Sequence, residues 1–213
     1  MCAQARRDAV AATLVRFTYR SLWQLAAIQA DPHPGNFVFP VPSPAEPASG
    51  RVAFLDFGCV RVLEPAMVDA LRGIAVAIRD DDRPRFRGAV QALGVVGKPR
   101  SFDYDHFFAV MEHVHRPLLA PRFTFTMDYV REGFALNGPS SPNARTMAMP
   151  PAYIWVARLQ WGLWSILARL RARASFRGMT DELLAAPVEP LAPADPRGSG
   201  SSLAAPAHAE ARA

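Results

Sequence analysis

Residues 29–40 read Q-A-D-P-H-P-G-N-F-V-F-P and residues 51–58 read R-V-A-F-L-D-F-G, with V-P-S-P-A-E-P-A-S-G between them. The middle segment carries too much proline to be a strand. Its flanks, Phe37 to Phe39 and Val52 to Leu55, are short β-type runs. The pattern predicts a β-hairpin with one acid just outside each end, Asp31 before it and Asp56 after it. Asn36 follows the first acid by five positions. Phosphoryl transfer uses this set: a carboxylate for the acceptor hydroxyl, and an Asn with a second carboxylate to hold Mg²⁺ on the nucleotide phosphates. D-x4-N alone and D-F-G alone both recur by chance; the order D-x4-N, strand, turn, strand, D-F-G is what points to one chemistry. The same residues also fit a plainer reading, in which Asp31-Pro32 shapes a turn and Asp56 ends a strand.

Outward from this stretch the chain reads as helices. Ala5 to Ala30 contains no Pro or Gly, and Val10, Leu14, Phe17, Leu22, Leu25 and Ile28 recur at helical steps. That predicts a helix running to Asp31, where the following proline disfavours further α conformation. After Gly58, Pro65 suits a first helical turn, and Val68, Leu71, Ala75 and Ile78 form one face. Asp80 to Asp82 break that helix. Asp82 opens the next, with Phe86, Val90 and Leu93, closing near Gly94. Asp103 can cap a third with Phe107, Met111, Val114 and Leu118 inward. Residues 124–134 fit helix and strand equally, 137–151 read as a loop, and Tyr153 to Arg173 as a long helix. The expected architecture is mainly α with a small β-hairpin carrying the acids at its ends. Residues 1–185 form the folded domain; residues 186–213, Ala/Pro/Gly/Ser-rich from about Pro187 on, form a disordered tail.

The 213 residues are half hydrophobic, enough for one domain with a core. The net charge is +5, yet no dense basic block occurs, which argues against a nucleic-acid partner. Lys98 is the sole lysine. Two cysteines, Cys2 and Cys59, make no disulfide framework or metal spacing, so a reducing, cytoplasmic setting is expected. Cys59 reads as a small half-buried thiol. The N-terminus lacks a signal-peptide apolar region. Arg158 interrupts the most apolar segment, Ala152 to Leu170, which therefore fails as a clean membrane span. Trp155, Trp161 and Trp164 with Arg158, Arg169, Arg171, Arg173 and Arg177 fit either an interfacial membrane helix or a core helix with a basic C-terminal end. His106, Glu112, His113 and His115 lack a metal-site spacing and read as a solvated helix face. His33 either shapes its loop or touches phosphate, and Gly35 suits a tight turn.

The hexapeptide D-P-H-P-G-N over 31–36, followed by L-D-F-G over 55–58, resembles the UbiB/AarF-type family of atypical kinases, the ubiquinone-biosynthesis kinase-like proteins. The similarity extends into P-P-A-Y-I-W-V-A-R-L-Q-W-G-L from residue 150 on and covers roughly residues 10–180. It implies the C-terminal lobe of a protein-kinase-like fold. Asp31 then matches the family's catalytic-loop Asp, Asn36 its metal-binding Asn and Asp56 the metal-binding Asp of its D-F-G. The implied cofactors are ATP and Mg²⁺, and the implied activity is ATP hydrolysis or phosphoryl transfer linked to isoprenoid-quinone or lipid metabolism, often at membranes. The chain departs from the family in having no nucleotide loop, no K-x-G-Q signature and no lysine ahead of Asp31. It therefore reads as a C-lobe with the N-lobe absent, expected to be inactive alone: a truncated product, a fragment, or half of a split protein with a separately encoded N-lobe as partner. Two rival readings remain at this level. One is a small-molecule phosphotransferase of the aminoglycoside or choline kinase type; the other is a non-catalytic module binding lipid or protein.

Overall fold

The computed structural model of the chain describes residues 2–191. Helix α1, Cys2–Trp23, lies at the centre. Its buried Val10, Leu14, Val15, Tyr19, Leu22 and Trp23 anchor the larger of two hydrophobic clusters. The helix ends earlier than its periodicity predicts. Ala26 adopts a left-handed φ of 49°, and strand β1, Ala27–Gln29, follows with all three residues buried. A short apolar run carries no period that separates strand from helix. Its partner, β4 (Val60–Val62), lies beyond the D-F-G and pairs antiparallel, Ala27 with Val62, Ile28 with Arg61 and Gln29 with Val60. This pairing brings the two acid-bearing loops to one edge.

The expected hairpin forms between them. Strands β2 (Phe37–Val38) and β3 (Ala53–Phe54) pair antiparallel. Phe54 meets Phe37 edge-on and stacks on Phe17 of α1 at 3.9 Å between centroids, so aromatic contact fixes the hairpin against the helix. Gly50 lets the turn close on α1: a Cβ there would stand 2.7 Å from the Ala9 carbonyl. The Thr13 hydroxyl donates to the Gly50 carbonyl at 2.8 Å.

Helices α2 (Pro65–Asp80), α3 (Arg83–Ala92) and α4 (Tyr104–Leu119) follow as read. Pro65 is in the first turn of α2, Asp82 caps α3 through the Arg85 N–H, and Asp103 caps α4 through the His106 N–H. Ile74, Phe86, Val90, Phe107, Phe108 and Val110 make the second cluster. The ambiguous segment divides into strand β5 (Phe123–Thr124) and helix α5 (Met127–Leu136), because the Thr126 side chain caps the Tyr129 N–H. Helix α6, Pro151–Leu170, ends at Arg171 in a left-handed conformation. Strand β6 (Arg173–Ala174) pairs with β5, and helix α7, Arg177–Ala185, follows. The fold is thus mostly helical, with three two-stranded antiparallel sheets among the described residues where one hairpin was expected.

The chain beyond α7 returns to the end of α1. The Leu191 N–H donates to the Leu25 carbonyl at 3.0 Å, and the Glu189 N–H to the Gln24 carbonyl. Arg72 gathers the Trp23, Leu184 and Ala186 carbonyls on one guanidinium. The remainder of the tail assigned to 186–213 lies outside the described residues from 192 on.

Two local expectations change. His113 and His115 are buried, 8% and 9% exposed, and not on a solvated face. Each ring bonds a backbone carbonyl, of Tyr129 and Met111 respectively. Of the three tryptophans on α6, Trp164 is fully buried among Tyr19 and Phe125, and Trp161 stacks on Phe134. These two belong to packing. Among the described residues no helix is long and apolar enough to cross a membrane.

Candidate active site

One side chain joins the two acid loops. Gln29, the last residue of β1 and 8% exposed, accepts the Asp31 N–H on Oε1 at 2.9 Å. Its Nε2 donates to the Asp56 carbonyl at 3.0 Å. Alongside it the Ala30 N–H donates to the Cys59 carbonyl at 3.0 Å, which extends the β1–β4 pairing toward Asp31. A fixed distance between the two loops therefore follows from strand register plus one buried amide.

Asp31 and Asn36 are brought into direct contact. The Asn36 amide donates to Asp31 Oδ2 and to the Asp31 carbonyl, both at 3.0 Å. Between them Pro34–Asn36 form one 3₁₀ turn, held by the Asn36 N–H on the His33 carbonyl. His33 shapes this loop: its Nδ1 accepts the Gly35 N–H at 3.0 Å. A Cβ on Gly35 would stand 3.0 Å from that ring nitrogen, so the glycine supplies room for the His33 ring.

The other oxygen, Asp31 Oδ1, accepts from Arg158 Nη2 at 2.7 Å. Arg158 sits on α6, and one turn later Gly162 faces Pro32. A Cβ on Gly162 would lie 2.2 Å from Pro32 Cγ, so only glycine lets the helix approach the D-P-H-P loop this closely. The apolar segment carrying Arg158 is thus the outer wall of the loop, and the charge that spoils it as a membrane span is the partner of Asp31.

Asp56 belongs to a separate tight turn. Its Oδ1 accepts the Gly58 N–H at 2.7 Å. The turn is tied to Asn36 through the backbone, since the Leu55 N–H donates to the Asn36 carbonyl at 3.0 Å. The Phe of D-F-G, Phe57, is 54% exposed, and nearby Leu55 is 59% exposed. Among the described residues no group of three or more His, Cys, Asp or Glu side chains could enclose a cation. A cation at Asn36 and Asp56 would have to complete its shell with water and phosphate oxygens, which is how Mg²⁺ is ordinarily held. With its amide nitrogen on Asp31, Asn36 has its amide oxygen left to offer, and Asp56 has Oδ2. The donor set fits.

Gln29, Arg158 and Gly162 were not singled out as site residues from the sequence. A signal existed for each: a lone amide in a short apolar run, a charge inside an apolar helix, and a glycine in a helix interior where it costs about 1 kcal/mol relative to alanine.

A mostly helical domain with a D-x4-N loop and a D-F-G turn at one edge of a small β-hairpin has the architecture of a kinase-like C-lobe. Residues 2–89 match the family model described as ABC1 atypical kinase-like domain, consistent with the UbiB/AarF-type family. None of the curated proteins matches the chain significantly. Among solved structures the chain is similar to that titled the complex structure of Rv3197-erythromycin from Mycobacterium tuberculosis, with a TM-score of 0.66 and 20% identity. The likeness covers 84% of this chain and 44% of that one, so the chain spans less than half the length of this structural relative.

Proposed function

We propose that the chain carries the base-and-metal half of an ATP- and Mg²⁺-dependent phosphoryl-transfer site. Asp31 orients and accepts the proton of the acceptor hydroxyl. Asn36 and Asp56 would hold Mg²⁺, which when bound supplies charge neutralisation on the nucleotide phosphates. The observation that carries this reading is the linkage of the three residues: Asn36 bonded to the Asp31 carboxylate, and Gln29 spanning from the Asp31 N–H to the Asp56 carbonyl. A turn cap and a strand end would have no need of a buried amide holding them in register.

The exposed Leu55 and Phe57 support a second part of the proposal: a nucleotide-clamping N-lobe, encoded apart from these residues, covers this edge, and the 213 residues alone turn over little ATP. On the family resemblance the setting is isoprenoid-quinone or lipid metabolism, in the cytoplasm with peripheral contact to lipid or a membrane surface. Nucleotide binding to the purified chain, titrated with and without Mg²⁺, tests the site. Mg²⁺ should strengthen ADP binding, and Asp56→Ala should remove the Mg²⁺ effect while Asp31→Ala leaves it. Binding that ignores Asp56→Ala would refute the metal assignment. Mg-ATP turnover by the isolated chain that Asp56→Ala abolishes would refute the incomplete-site part alone.

A further inference from the structure

We infer that Arg61 and Arg158, which share the ring of Trp155 and of which Arg158 also pairs with the Asp31 carboxylate, bind the anionic group of the phosphoryl acceptor, so that the acceptor is a hydroxyl compound that also carries a phosphate or carboxylate. The acceptor role rests on the phosphoryl-transfer reading above; the anion site stands on its own geometry.

Arg61 is set by the same ladder that sets Asp31. It sits on β4 opposite Ile28 of β1, the strand that leads into Asp31. Its guanidinium carbon lies 5.1 Å from the Trp155 ring centroid. Arg158 follows Trp155 by three positions on α6, and its guanidinium carbon lies 5.8 Å from the same centroid. Two guanidinium groups on one indole concentrate positive charge there, which an anionic ligand would neutralise. Asp31 provides one negative charge, to Arg158 alone. Among the described residues no carboxylate is within ion-pair distance of Arg61, whose guanidinium bonds only the Val60 carbonyl at 3.0 Å.

The position of the pair separates it from the nucleotide. Asn36 occupies Asp31 Oδ2 and Arg158 occupies Oδ1. The metal-binding side and the arginine side therefore lie on different oxygens of one carboxylate. An acceptor hydroxyl placed on Asp31 has the Arg158 guanidinium next to it, and Arg61 shares the Trp155 ring with Arg158. Arg158 uses one of five N–H donors on Asp31 and its side chain is 55% exposed, which leaves donors for a planar, bidentate grip on a phosphate or carboxylate.

The test is binding of glycerol 3-phosphate to the full 213-residue chain without nucleotide or Mg²⁺, with glycerol as the uncharged control, by calorimetry and amide chemical shifts. Glycerol 3-phosphate should bind saturably and glycerol should not. Arg61→Gln and Arg158→Gln should each weaken binding about tenfold. Arg51→Gln, an exposed arginine on the hairpin turn, should leave it unchanged. Vesicles containing phosphatidic acid, against phosphatidylcholine alone, separate a lipid headgroup from a soluble monoester. Arg61-dependent binding to either source supports the anion site. Arg61 is an exposed strand residue, so its variant is readable even where the Arg158 variant unfolds. Absence of saturable binding to both sources, or binding equally sensitive to Arg51→Gln, overturns the proposal. Asp56→Ala should not alter this binding, so a failed metal assignment and a failed anion site give different results.

Discussion

Gln29 carries a role out of proportion to its chemistry. It is neither acid nor base, yet its two amide ends fix the backbones of the residues that are. The site depends on it because Asp31 and Asp56 lie on separate turns with no side-chain contact of their own. Replacing Gln29 by Leu keeps the volume and removes both bonds. The Asp31 N–H and the Asp56 carbonyl then lose their partners, at a cost of about 0.5–1.5 kcal/mol per bond. Urea unfolding should show that loss. Mg²⁺-dependent ADP binding should weaken as well, although no metal donor has been touched. Gln29→Glu retains the acceptor for the Asp31 N–H but sets a buried carboxylate against the Asp56 carbonyl, so it should recover little of the stability and little of the metal effect. Wild-type stability and metal response in Gln29→Leu would show that strand pairing alone holds the two loops.

Helix α6 joins the core to the catalytic loop, and its faces were unequally legible. Leu159, Leu163, Ile166 and Leu167 announce a buried face by spacing. Arg158 reads only as an interruption, and nothing local states that Asp31 and Pro32, far away in sequence, are what Arg158 and Gly162 meet. The same limit explains α1: its apolar period is readable, while the break at Ala26 depends on pairing with β4. Capping residues and proline positions, being local, predicted α2, α3 and α4 well. Asp31, Asn36 and Asp56 stood out through their own spacing, but the residues that hold them, Gln29 and Arg158, depend on tertiary contact. The α6 contact gives a direct prediction. Gly162→Ala should force the helix and the D-P-H-P loop apart, because the new methyl meets the rigid Pro32 ring at 2.2 Å. Overpacking of this kind costs about 1–3 kcal/mol, against about 1 kcal/mol gained from helix propensity. Thermal unfolding should therefore show net destabilisation, and amide shifts of residues 31–36 should move. Gly88→Ala, on α3 with open space around it, should stabilise the protein and serves as the matched control.

The two hydrophobic clusters meet along α4, which places Leu118 in one and Phe107, Val110 and Met111 in the other. His113 and His115 lie at this junction. The His113 ring stacks on Tyr129 of α5 at 4.3 Å between centroids, and His115 Nδ1 bonds the Met111 carbonyl at 2.8 Å. Burial lowers the pKa of both below the ordinary histidine value, and Arg116 presses His113 in the same direction. In the unfolded chain both titrate near their usual value of about 6.5. Above that value neither state binds a proton at these rings, and their contribution does not change with pH. Below it the unfolded chain takes up protons that the folded chain refuses, so stability falls as pH falls. Each ring contributes a slope of up to about 1.4 kcal/mol per pH unit until its folded pKa is reached. Chemical denaturation at pH 7.5 and 5.5 should therefore show a marked loss on acidification. The double variant His113→Gln, His115→Gln starts less stable at pH 7.5, because it disturbs the Tyr129 stack, but should lose much less between the two pH values. An unchanged difference in that variant would assign the acid sensitivity to other groups.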